Sequence, residues 1–94
     1  MSRELICGAI QQRRIITFVY KNALRTVEPH LLGYDKKNNL TLSAWQLSGG
    51  SGQSFRAFHL NLLSGVSVTD NEFSDARQGY NPNDQTMTRI ICRL

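Results

Sequence analysis

With 94 residues, an apolar share of 40% and two cysteines, the chain is long enough for one small domain with a thin core and too short for two. Its net charge of +4 favours an acidic partner such as nucleic acid, a nucleotide or a phosphate-bearing metabolite, although a soluble surface with no ligand also carries modest charge. No apolar run is long enough for a bilayer span or a leader, so a cytoplasmic protein without membrane contact is expected.

Leu5, Ile6, Ala9 and Ile10, with Arg13, keep the spacing of one helical face, which predicts a short amphipathic helix from Arg3 to Gln12. Ser2 is placed to cap it, and Glu4 suits its first turn. Ile15-Ile16-Thr17-Phe18-Val19-Tyr20 is β-branched and aromatic, a strand expected to be buried on both sides, with a turn at Lys21-Asn22-Ala23. A second strand runs from Leu24 to Tyr34. Pro29 and Gly33 interrupt it, so it should bend, bulge or lie partly at an edge. Asp35-Lys36-Lys37-Asn38-Asn39 is a polar hairpin turn.

Leu40, Leu42 and Ala44 then alternate with Thr41, Ser43 and Trp45 in a half-buried third strand. A glycine-serine loop over residues 48–52 leads to a fourth strand, Gln53 to Leu60, and Asn61-Leu62-Leu63 reads as one helical turn. Val66 and Val68 mark a short fifth strand. Residues 74–84 are polar and turn-rich, but Phe73 and Tyr80 can anchor them as an ordered wrap. Thr86 to Arg93 closes the chain as a last strand.

This order predicts a single, mainly β domain: an N-terminal helix and five to six short strands in a small barrel of the SH3 or Sm kind. Cys7 and Cys92 show no CxxC or Cys/His spacing, so no metal site is expected. They read as separate buried thiols of a reducing compartment, with a disulfide joining the chain ends as the alternative.

Three stretches resemble the WYL domain, a bacterial ligand-sensing module with an Sm/SH3-like barrel. They are Ala9-Ile10 with Ile15 to Tyr20, Arg25-Thr26-Val27-Glu28-Pro29-His30-Leu31-Leu32-Gly33, and Phe55-Arg56-Ala57-Phe58-His59-Leu60 with Leu63-Ser64-Gly65-Val66. The likeness covers roughly residues 3–73, and the closing segment from Gly79 to Ile91 is similar to that of small stand-alone members. Leu40-Thr41-Leu42 stands where the family has Trp-Tyr-Leu, and the chain leaves no room for the helix-turn-helix that many members carry. The resemblance implies the sensing half of a regulator, acting alone or with a DNA-binding or effector chain. Members of that family are tied to transcription control, phage defence and CRISPR-associated regulation.

Five residues are candidates for ligand binding. Arg25 shares a strand face with Val27 and Leu31, where an arginine at the end of an apolar face projects from the barrel mouth and can grip phosphate. An ion pair with Glu28 or a nearby aspartate is its structural alternative. Arg56 has the parity of Phe58 and Leu60, which requires either a bulge or a place on the barrel rim. The resemblance implies a ligand arginine followed by a core phenylalanine. His30 and Tyr34, on the face opposite Val27 and Leu31, could neutralise phosphate and stack a base, or could form a solvated outer face. Trp45 is a candidate stacking platform or a cover for the helix. His59 reads as structural.

Catalysis is not expected. There is no GxSxG elbow, Gly49-Gly50-Ser51-Gly52 lacks the lysine of a phosphate loop, and the carboxylates are scattered through turns. No cofactor is implied. The expected partner is single-stranded nucleic acid or a nucleotide. The rival expectation is an interaction module without a ligand that assembles through strand edges as a homodimer or higher oligomer.

Overall fold

A computed structural model describes residues 2–50 and 52–94. Helix α1 (Ser2–Gln12) precedes β1 (Arg14–Tyr20), β2 (Ala23–Asp35), β3 (Leu40–Ser48), β4 (Ser54–His59), a 3₁₀ turn (Leu60–Leu62), β5 (Ser64–Glu72) and β6 (Met87–Arg93). The strands form one antiparallel sheet in the order β4-β3-β2-β1-β5, with β6 joined to β2. β4 and β5 are the two ends of that path, so the sheet curls like a small barrel without closing. Among the described residues no helix is long and apolar enough to cross a membrane.

The helix packs as its spacing predicts. Ile6, Ala9 and Ile10 are buried while Leu5 is half-exposed. Arg13 ends the helix with φ 55°, and its backbone carbonyl accepts the Phe73 N–H at 2.9 Å. The apolar side of α1 joins one core with Ile16, Phe18, Val27, Leu32, Leu42, Ala44 and Phe58. At the centre, the Phe18 and Phe58 rings meet edge to face at 5.0 Å.

Strand β1 is not buried on both sides: Ile16 and Phe18 face the core, whereas Val19 is 38% exposed. Nor is β2 an edge. It pairs along its length with β3, while its other side pairs with β1 over residues 23–27 and with β6 over residues 31–35. Pro29 falls in the gap between those two partners, so the missing N–H breaks no ladder on that side. Next to it the register slips by one residue: Pro29 faces Ala44 and Leu31 faces Ser43, leaving His30 as the extra residue of a bulge.

A bulge reverses side-chain parity. Leu32 therefore joins Val27 in the main core, and the shared inward face expected for Val27 and Leu31 does not form. Gly33 permits the close approach of β6, because a Cβ there would lie 2.6 Å from the Arg89 carbonyl oxygen.

The two cysteines are joined. Cys7 on α1 and Cys92 on β6 form a disulfide with their Cα atoms 5.8 Å apart, which corrects the expectation of separate thiols and removes the inference of a reducing compartment drawn from them. Residues 73–86 wrap the sheet face opposite α1, as Phe73 and Tyr80 predict. Phe73 stacks on His30 at 5.5 Å and Tyr80 meets it edge-on at 5.2 Å.

Candidate anion-binding site

Lys21 and Asn22, with φ of 51° and 63°, form a two-residue hairpin turn between β1 and β2. Lys21 is thereby at the tip, and Arg25 lies opposite Phe18 on the core-facing side. On the other flank, β3 and β4 pair without interruption through Leu42–Phe58, Ala44–Arg56 and Gln46–Ser54. Directly paired residues share a face, so Arg56 lies on the inner side beyond Phe58 with no bulge; the parity conflict is resolved by a place at the rim. The inner face thus changes from apolar to cationic towards one end. A depression of about 330 Å³ opens there, lined by Tyr20, Lys21, Arg25, Phe55, Arg56, Ala57 and Phe58.

The chemistry of this mouth is set by what surrounds Arg25, which is only 9% exposed. Its Nη1 donates to Gln46 Oε1 at 2.9 Å and its Nη2 to the Tyr20 carbonyl at 3.2 Å. Its guanidinium carbon lies 5.4 Å from the centre of the Tyr20 ring, and its buried Nε has no hydrogen-bond partner among the described residues. Both acceptors are neutral. The ion pair with Glu28 does not form, because Glu28 is bound to Arg77 on the opposite face. Lys21 approaches the same Tyr20 ring, with Nζ 5.4 Å from its centre. Three cationic side chains therefore line the mouth and, among the described residues, no carboxylate does. A largely desolvated cation with only dipolar partners interacts strongly with an incoming anion.

The other three candidates lie elsewhere. His30 is fully buried. Its Nε2 accepts the Arg77 N–H at 3.0 Å, so its Nδ1 carries the proton and donates to the Glu28 carbonyl at 2.7 Å. Burial holds the imidazole pKa below its ordinary 6.5, against the opposing pull of the Glu28 carbonyl and carboxylate. Trp45 is half-buried beneath the Arg77 guanidinium, whose carbon is 5.3 Å from the indole, and it touches Phe55 edge-on at 5.3 Å. Neither residue is an open stacking platform. Tyr34 is part-exposed near the β2–β3 turn, beneath Arg89 at 5.6 Å.

The structure therefore brings Arg25 and Arg56 together and separates His30, Trp45 and Tyr34 from them. Tyr20, Lys21 and Gln46 were missed. The first two had a signal, a polar turn two residues ahead of Arg25; a glutamine within a half-buried strand had none. Among the described residues no cluster of three or more His, Cys, Asp or Glu could hold a metal ion. No family model, curated protein or solved structure matches the chain.

Proposed function

We propose that this chain is a ligand-sensing module of the WYL kind, binding single-stranded nucleic acid or a nucleotide-like anion at the mouth formed by Lys21, Arg25 and Arg56. One observation carries the reading: cationic side chains from the β1–β2 hairpin and from β4 line a single depression that holds no carboxylate among the described residues. The Tyr20 ring is covered by Arg25 and Lys21 and meets Phe58 edge-on at 5.1 Å, so it supports the two cations rather than offering an open face to a base. The module would bind rather than catalyse, and it would pass occupancy on to a DNA-binding or effector chain in transcription or phage-defence control.

Titration of a labelled oligothymidylate of about ten nucleotides at about 50 and about 200 mM salt tests this. The expected result is binding that weakens steeply with salt. Absence of binding at the lower salt would overturn the reading. Trp45 is unsuited as the reporter because it lies under the wrap, so anisotropy of the labelled strand is the better signal.

A second reading draws on the unpaired edges of β4 and β5 and on the exposed Leu24 and Leu62, which suit assembly through strand edges. Light scattering distinguishes it by a concentration-dependent mass. The proposed address is cytoplasmic, in keeping with the resemblance. The disulfide weighs against it, and counting free thiols in protein trapped at cell lysis decides between them.

A further inference from the structure

Gln46 is fully buried, an unusual setting for a primary amide. Its Oε1 accepts from Arg25 Nη1 at 2.9 Å, and its Nε2 donates towards the Gly52 carbonyl at 3.4 Å. The glycine loop packs directly on this pair. A Cβ on Gly50 would collide with the Gln46 amide and lie 2.9 Å from Arg25 Nη1, while one on Gly49, whose φ is 102°, would collide with the Leu24 carbonyl. Two glycines therefore let the backbone close over the arginine and its amide partner. The loop is shaped around that pair rather than serving only as a turn.

The choice of partner has a consequence. A carboxylate at position 46 could make the same hydrogen bond to Nη1 and would cancel the charge; the amide fixes the guanidinium and leaves the charge intact. We propose that Gln46 is a positioning residue that holds Arg25 in the mouth without neutralising it, so that the occupant must supply the counter-charge. The site then selects phosphate-bearing ligands over neutral nucleosides. This rests on the anion-binding reading and adds to it the class of ligand and the residue that enforces it.

The test compares wild type and Gln46→Glu in oligothymidylate binding across salt concentrations, with thymidine as the neutral control. The variant gains a guanidinium–carboxylate pair but loses the Nε2 donor to the Gly52 carbonyl and buries a charge, so its melting temperature is recorded and binding is compared well below it. Its affinity should fall about tenfold or more, and its salt slope should become shallower by about 0.7, the loss of one phosphate contact to a single strand. Thymidine should bind to neither protein.

An affinity loss with an unchanged slope would mark a merely structural role and overturn the proposal, as would tight thymidine binding. A variant that binds like wild type would overturn this inference alone, whereas failure of the wild type to bind would remove the anion-binding reading as well. If Gln46→Glu does not fold, Gln46→Met carries the test. It retains the arginine charge without its acceptor and should bind severalfold more weakly, and that loss should disappear in an Arg25→Met background if Gln46 acts through Arg25; undiminished affinity, or an equal loss without the arginine, would overturn the proposal.

Discussion

Arg25 and Arg77 both lie over an aromatic ring, 5.4 Å from Tyr20 and 5.3 Å from Trp45 respectively, yet they occupy opposite faces of the sheet and differently charged surroundings. Arg77 forks onto the nearly buried Glu28 carboxylate, with Nε and Nη2 at 2.7 and 3.0 Å from its two oxygens. That pair, with His30 and three surrounding rings, fastens the C-terminal wrap to the sheet. Among the described residues, Arg25 hydrogen-bonds to an amide and a backbone carbonyl and to no carboxylate. An arginine whose charge is satisfied inside the protein is a fastener, whereas one held by dipoles keeps its charge available to a ligand. The partner sets the role more than the residue type does.

Severing the disulfide, which ties α1 to β6 across nearly the whole chain, is expected to be the most damaging change. Its cysteines are 85 residues apart, and a cross-link over so long a loop stabilises by about 4 kcal/mol through the unfolded chain. Denaturant titration with and without a reductant measures this. Where the reduced chain is still folded, its salt slope for oligonucleotide binding should match that of the oxidised form. A changed slope would mean that the mouth depends on the chain ends, blurring the contrast drawn here.

Arg77→Ala comes next, leaving a nearly buried carboxylate without a cation that is itself 40% exposed, at a cost of about 2 kcal/mol once solvent screening is counted. For a domain of this size that lowers the melting temperature by roughly 8 °C or more. Oligonucleotide affinity, measured well below that temperature, should be almost unaffected. A variant that melts with wild type would show that the wrap is held mainly by its rings.

The pH dependence of stability sharpens the same side of the comparison. The folded-state pKa of His30 lies below the ordinary 6.5 because the ring is buried. As pH falls, the unfolded chain takes up that proton first, so this contribution is intact above about 6.5 and declines as pH drops through 6.5 towards the lowered value. A protonated Nε2 would also point a donor at the Arg77 N–H, which is itself a donor. Asp35 is separable. Its carboxyl is held below 3.8, chiefly by the Asn39 N–H, so its contribution is lost only further into acid. His30→Gln should flatten the melting profile between about pH 7 and 5; an unaltered profile would mean that another group titrates there.

Much of the strand order was legible because alternation and turn chemistry are local. The hairpin at residues 35–39 is an example: Asp35 Oδ1 accepts the N–H groups of Lys37 and Asn39, and Asn38 takes the left-handed torsion. The misreadings have non-local causes. Of the bend, bulge or partial edge that Pro29 and Gly33 suggested, the bulge forms beside Pro29 and the edge does not, because the handover from β1 to β6 makes the proline harmless in a central strand. The bulge at His30 changed which of Leu31 and Leu32 faces the main core. His30 and Glu28 looked exposed because nothing in β2 shows that a segment more than forty residues away covers them. β5 was foreseen only around Val66 and Val68 because most of its nine residues are polar and exposed. Of the candidate site, the two arginines carried enough pattern to be placed at one rim. The neutral partner that distinguishes Arg25 from Arg77 became visible only with β3 laid beside β2.

The central claim is that anion recognition belongs to the mouth and structural fastening to the wrap, and Arg56→Ala tests it most directly. Anisotropy titration of a labelled oligothymidylate should show a loss of affinity of about tenfold and a shallower salt slope, with the melting temperature within about 2 °C of wild type. A variant that binds as well as wild type, or that loses stability and binding together, would contradict the account.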